Sequence, residues 1–399
     1  MKETKDKWVF KVSLLSISLF LMMAPQISTA LPLMYQAFPG VSSSAVETLA
    51  TIPNFGIVAG LFLSPLLVNR MGAKATVITG LVITLLSGTF PMYVSQYVPI
   101  LISRFIIGLG IGLFNSLAVS LVSDFYRSSE EETATMLGFQ GVMGTIGSAI
   151  ASFLVSYLVT ISWHAAFAIY FLVIPSLILF TLFVPMEKKS QVKQATQTSQ
   201  SQSLNRKVMT IAGIMFFLFL FYMPMAYKLP VVITGEKLAN LSELALITGA
   251  STLIGIPFGA AFGFFFKRLH DKIFPIGMCC VTLGFIGLAF SPSLVLMVIC
   301  LLILGFGFSL VVPYMYNWLS WSAPEGSMNL ATTVVLIMVN LGVFLSPSVM
   351  GLLSTLFGSS LRSIFYASSA GCVLLSLYAL LHYYKVHSPS LSKADEKAG

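Results

Sequence analysis

The sequence predicts an all-α membrane protein with twelve transmembrane helices in two pseudo-symmetric six-helix halves. Three observations carry this reading. Of 399 residues, 57% are hydrophobic and 9% charged, against about 25% charged in a soluble domain. The apolar residues gather into twelve runs, each near the roughly 20 residues needed to cross a bilayer. Marker residues of the first six runs recur, in order, in the last six.

The first six runs cover about 11–35, 44–68, 75–95, 98–123, 134–159 and 164–185. The basic start, apolar run and Ser28-Thr29-Ala30 mimic a signal peptide. The later counterpart of the same segment predicts that it is retained as a span. Residues 187–207 follow, rich in Gln, Ser and Thr and without apolar periodicity. Such a stretch reads as a flexible linker. Six more runs cover about 208–230, 243–266, 273–290, 293–321, 328–356 and 361–384. The predicted division is therefore an N-terminal half over 1–186, a linker over 187–207, a C-terminal half over 208–384 and a tail over 385–399.

Repeats support the two halves. Leu31-Pro32 recurs as Leu229-Pro230, Asn69-Arg70 as Lys267-Arg268, and Gly108 with Gly110 as Gly305 with Gly307. Gly147-Ser148 recurs, offset by one, as Ser346-Pro347, and Phe167 after His164 as Phe365 after Arg362. Parallel halves of this kind place a substrate site between them, near mid-membrane.

Charge sets the orientation. Of 22 Lys and Arg residues, Lys228, Lys237 and Arg362 fall in outer segments and Arg104 within a span. The rest lie on one side, which the positive-inside rule assigns to the cytoplasm. Both termini are expected there, in a multi-pass protein of the cytoplasmic membrane. The net charge of +8 sits in short loops and gives no reason to expect a nucleic-acid partner. The four cysteines, Cys279, Cys280, Cys300 and Cys372, fall in apolar runs and read as small hydrophobes. No nucleotide-binding Gly-x4-Gly-Lys-Ser/Thr pattern, nucleophile–base set or metal-ligand spacing occurs. The expectation is a non-enzyme without metal or cofactor, in which ATP is not used directly.

Three segments carry a resemblance. After the second run the chain reads Pro65-Leu66-Leu67-Val68-Asn69-Arg70-Met71-Gly72-Ala73-Lys74. This is similar to the first signature of the major facilitator superfamily, Gly-x-x-x-Asp-Arg-x-Gly-Arg-Lys, with Pro65 and Asn69 replacing its glycine and aspartate. Arg104, Gly108 and Gly110 resemble the second signature, Arg-x-x-x-Gly-x-Gly. Gly138 and Gly147 keep the spacing of the third, Gly-x8-Gly-Pro-x-x-Gly-Gly, which is associated with exporters. There Ser148 replaces the proline, and Ala151-Ser152 replace the paired glycines.

The resemblance spans essentially the whole chain and is closest in type to the twelve-span drug/proton antiporters. It implies a monomer working by alternating access on a small molecule. It also implies a cytoplasmic gate at Asn69, Arg70, Gly72 and Lys74, with Asp124 as the matching carboxylate. The best reading is proton-coupled efflux of drugs or amphipathic metabolites. Uptake or facilitated diffusion of a small polar or anionic solute is the alternative, and a transporter-like receptor is the reading from another class.

Individual residues carry two readings each. An arginine in lipid is expensive and usually functional, so Arg104 either senses substrate and proton or donates to backbone carbonyls of the first helix. Glu47 and Glu243 are proton-coupling candidates, because burial raises a carboxyl pKa. They equally suit the first turns of helices. Gln26, Asn54, Asn115, Gln140, Tyr222 and Asn340 are polar groups in mid-span, where an unpaired amide is costly; they line a path or bridge helices. Tyr314, Asn317, Trp318 and Trp321 share a helix face and form either a cavity wall or an interfacial belt. Gly108, Gly110, Gly138, Gly147 and Pro347 are helix-packing candidates, because small residues let backbones approach.

Overall fold

In the computed structural model the described residues are 8–126, 130–185, 203–324 and 327–387. Most of the expected linker and tail lies outside them. The described chain is helical throughout. Helix starts follow the sequence: Ser42 accepts from Ala45 N, Asn205 from Val208 N and Ser293 from Leu296 N, each supplying an acceptor to an orphan amide.

Among the described residues, ten helices are long and apolar enough to cross a membrane, or eleven if one bent pair is counted as a span. By length and composition the described residues thus reach ten or eleven of the expected twelve. The bent pair is the first run, Trp8–Phe20 with Ala24–Ala37, broken by 50°. Its middle, Ile17–Phe20 and Ala24–Ala30, is 3-10 helix. Pro25 opens the second 3-10 stretch and Pro32 the α-helix Leu31–Ala37 that follows it; each lacks an amide donor, which interrupts a continuous α-helical ladder. The run expected at 243–266 is the helix Leu241–Ala260 followed by Phe262–Leu269, and Leu241–Ala260 is not among the ten.

The chain forms two compact units. The first comprises Met1–Ser201, Ala226–Leu253 and Val343–Ser348; the second comprises Gln202–Met225, Ile254–Gly342 and Val349–Gly399. In the first unit the helices Ser43–Met71 and Tyr97–Tyr126 pack through glycine. A Cβ on Gly108 would strike the Pro53 carbonyl, and one on Gly112 would lie 2.8 Å from Gly60 Cα. Gly80 and Gly110 also meet: a Cβ on either would lie within 2.8 Å of the other's carbonyl oxygen. In the second unit Gly277 and Gly307 make the corresponding approach, at 3.1 and 2.5 Å. Of the other packing candidates, Gly147 lies against the Leu19 carbonyl, whereas a Cβ on Gly138 would meet nothing within 4 Å; the same holds for the repeat marker Gly305.

A second repeated feature is the helix stop. Gly72 ends Ser43–Met71 at φ 86°, and His270 ends Phe262–Leu269 at φ 46°, ψ −128°. Glycine adopts positive φ freely, while a residue with a Cβ pays for it. His270→Gly is therefore expected to stabilise the protein by about 1 kcal/mol. Thermal unfolding of purified protein checks this; an unchanged or lower midpoint would show that the His270 side chain compensates its own backbone.

A third pair closes the opposite loops. His164 bonds Ser95 Oγ at 3.0 Å and stacks on Trp163, while Arg362 donates to Ser291 O at 2.6 Å. Partial burial holds the His164 imidazole below its ordinary pKa, which favours the neutral ring and leaves one ring nitrogen as an acceptor.

Candidate functional site

Arg104 is fully buried in the Tyr97–Tyr126 helix. Its Nε donates to Leu49 O at 2.9 Å, one terminal nitrogen to Tyr170 Oη at 2.7 Å and the other to Ala24 O at 2.7 Å. The guanidinium also lies 5.8 Å from the Phe167 ring centroid. A planar fork with several donors suits such a junction, and charge-assisted bonds offset the desolvation of the cation. Arg104 thus ties together the first run, the Ser43–Met71 helix and the Ala165–Leu172 segment. Ala24 lies in the 3-10 stretch, and the arginine gives its carbonyl a partner.

Two residues before Leu49 in the same helix, Glu47 is buried at 1% exposure. Lys228 Nζ donates to its Oε1 at 2.8 Å, and the Tyr35 hydroxyl donates to the same oxygen. The Lys228 ammonium stands 5.8 Å from the Tyr35 ring centroid. Beside them the Tyr227 and Ser346 hydroxyls share a bond of 3.1 Å. Ser346 precedes Pro347, which sits inside the Met328–Ser354 helix. All five side chains belong to the first unit. Lys228, expected in an outer loop, is instead largely buried within the Pro224–Gly235 helix. Sequence reasoning missed it and Tyr35 as partners of Glu47. The available signal was a lysine between two apolar stretches, at Tyr227-Lys228-Leu229-Pro230.

Glu243 has a different setting. It is exposed, accepts from Asn240 N at 2.9 Å and has its own amide bonded to Asn240 Oδ1 at 2.8 Å. This is a reciprocal capping box. Of the two carboxyls read as proton-coupling candidates, Glu47 alone is buried.

Gln26 bridges helices. Its Nε2 donates to Ser148 Oγ at 2.6 Å and its Oε1 accepts from Ser152 Oγ at 2.6 Å. The two serines that depart from the third signature are thus the two that hold the amide. Asn54 and Asn340 donate back to their own helices, at Thr51 O and Leu336 O. Asn115 and Gln140 are half-buried. Tyr222 stacks on Phe308 with centroids 3.9 Å apart.

At the expected gate, Lys74 Nζ donates to Thr181 O and Val184 O, both at 2.8 Å. It thereby caps the C-terminus of Val173–Phe183. Asn69, Arg70 and Asp124 are exposed at the last turns of their helices.

In the second unit, Tyr314 and Trp318 line a cavity of about 310 Å³ together with Lys207, Asp271, Phe274 and Trp321. The Tyr314 hydroxyl donates to Asp271 Oδ1 at 3.2 Å. Asn317, on the same predicted stripe, does not line the cavity, whereas Trp321 does.

A family model described as Major Facilitator Superfamily matches residues 12–328 and 229–399. The chain belongs to the major facilitator superfamily. It is a transporter of that family and a multi-pass membrane protein. A probable nitrate transporter, NarT, of Staphylococcus aureus is 25% identical over 335 residues, covering 82% of each chain. Among solved structures, a mutant of the nucleoside transporter NupG matches with a TM-score of 0.78 at 14% identity, over 94% of this chain and 99% of that one. A D-xylose–proton symporter matches with a TM-score of 0.72 at 18% identity, over 94% and 97%. None of the proteins just named is a drug/proton antiporter, so the finer expectation of that type gains no support from them. At these identities the solved structures speak for the fold alone.

Proposed function

We propose that this member of the superfamily is a proton-driven secondary transporter that takes up a small polar solute by alternating access. The observation that carries it is the Glu47–Lys228 pair with Tyr35, buried in helices long enough to span a membrane. Ionisable groups within spanning segments are functional-site candidates by default. Paired, the two side chains are neutral together. A proton on Glu47 leaves the Lys228 ammonium without its counter-charge, a change worth several kcal/mol in a poorly solvated site. That difference is large enough to bias one conformation over another.

The solute is read from the relatives. NarT is named as a probable nitrate transporter, and the solved neighbours are named for nucleosides and xylose. A small anion such as nitrate is the first solute to try, moved inward with both termini cytoplasmic, by a monomer without a cofactor. The export reading attached to Gly138 and Gly147 weakens on structural grounds: Gly138 has open space around it, and Ser148 and Ser152 serve Gln26.

Proteoliposomes with an imposed pH gradient and an internal pH dye test the proposal, using nitrate, xylose and a nucleoside. Proton influx that requires one of these solutes is the expected result. Solute movement without proton flux would remove Glu47 from coupling. Retained binding without movement would make the protein a transporter-like receptor.

A further inference from the structure

We propose that the cavity of the second unit binds an organic ammonium group carried on an amphipathic body. This chemistry is shared by an aminophospholipid headgroup and by a free amphipathic amine. The site is independent of the Glu47–Lys228 cluster, which lies in the first unit.

The walls are aromatic. Phe274 and Tyr314 stack at 5.9 Å and 9°, Trp318 tilts against Phe274 at 6.2 Å, and Trp321 meets Tyr314 edge-on at 6.5 Å. Trp318 also covers the His382 ring at 4.6 Å. Phe274 is 1% and Tyr314 5% exposed, so these two rings are fixed by core packing. One carboxylate, Asp271, faces this enclosure and is oriented by the Tyr314 hydroxyl at 3.2 Å. Ring faces attract cations through their quadrupole. A carboxylate among them supplies the counter-charge. A concave apolar pocket with a few placed polar groups is the general form of a ligand site.

Location selects an amphipath. The lining residues come from the start of Arg206–Tyr222, the start of Ile273–Phe290, the end of Leu294–Ser322 and the end of Ser363–His387. These ends lie at one membrane face, where tryptophan and tyrosine sit at headgroup level. A head bound there leaves its tail in the acyl layer. Lys207 lines the cavity but is exposed on the first turn of its helix. Its ammonium repels a free amine and attracts the phosphate of a phospholipid, which separates the two sources.

Tryptophan emission reports the site directly, because Trp318 and Trp321 line it while Trp8 and Trp163 belong to the first unit. The full chain, purified in a nonionic detergent, is titrated with dihexanoyl phosphatidylethanolamine, dihexanoyl phosphatidylglycerol and 2-phenylethylammonium. Saturable change with the ethanolamine lipid or with the amine is expected, with none from the glycerol lipid. Asp271→Asn keeps the side-chain shape and an acceptor for Tyr314, and should weaken binding at least tenfold. Trp318→Leu should do the same by removing a wall. Lys207→Ala should weaken the phospholipid alone if the lipid is the occupant, and strengthen the amine if the amine is. Equal binding of phosphatidylglycerol, or unchanged binding in both Asp271→Asn and Trp318→Leu, would overturn the proposal. The lipid comparison on the unaltered protein decides it even if a variant does not fold.

Discussion

Arg104→Ala should lower stability by about 3–5 kcal/mol, because it strands buried acceptors and opens a void at a three-way junction. The Leu49 and Ala24 carbonyls and the Tyr170 hydroxyl would each lose a partner. The expected readout is a sharp fall in the yield of monodisperse protein and in its unfolding midpoint, with transport lost as a consequence. Arg104→Lys should fall between, since a single ammonium cannot span three acceptors held by a planar fork. The opposing result is specific: an Arg104→Ala protein with a normal midpoint and no transport. That outcome would return Arg104 to a sensing role in the transport cycle.

The second large effect belongs to the Glu47–Lys228 pair. Removing one partner leaves an uncompensated charge in a buried place, at a cost of about 3–5 kcal/mol. Removing both should cost less than either alone. A double-mutant cycle over Glu47→Ala, Lys228→Ala and the combined variant should therefore give a coupling energy of at least about 3 kcal/mol. Additive losses would mean that the 2.8 Å contact contributes nothing beyond packing. Glu47→Gln is the functional counterpart. It cannot release a proton yet keeps an acceptor for Tyr35. It should abolish solute-dependent proton flux in proteoliposomes while solute exchange across the membrane persists. Intact proton flux in Glu47→Gln would place coupling elsewhere.

Much of the architecture was legible because it is local. Ser42, Asn205 and Ser293 announce helix starts through their own side chains, and Asn240 with Glu243 closes a box three residues wide. The glycines at 108 and 110 read as close packing because a missing Cβ has one main use inside an apolar helix. Arg104 was legible as an inward group because lipid tolerates a guanidinium poorly. The partners were not legible. Glu47 meets Lys228 at a separation of 181 residues, and no periodicity connects them. Asp271 hid in a run of charges, Lys267-Arg268-Leu269-His270-Asp271-Lys272, that reads as a solvated loop. The first run read as one helix because composition records apolarity and not the hydrogen-bond ladder that Pro25 and Pro32 interrupt. Ser148 and Ser152 were misleading for another reason. Set against a signature they count as losses, whereas their hydroxyls act only in the presence of Gln26.

That three-residue clip has a consequence for inheritance. Each of its hydrogen bonds is 2.6 Å long and joins residues more than 120 positions apart. A lineage that exchanged Gln26 for an apolar residue would be left with two inward hydroxyls in search of partners. One that restored proline at 148 would strand half of the amide. Neither single step is neutral, so positions 26, 148 and 152 should change together or stay together among descendants of this chain. Divergence at this helix junction then proceeds by paired or triple replacements, and sequences midway between the two solutions should be scarce.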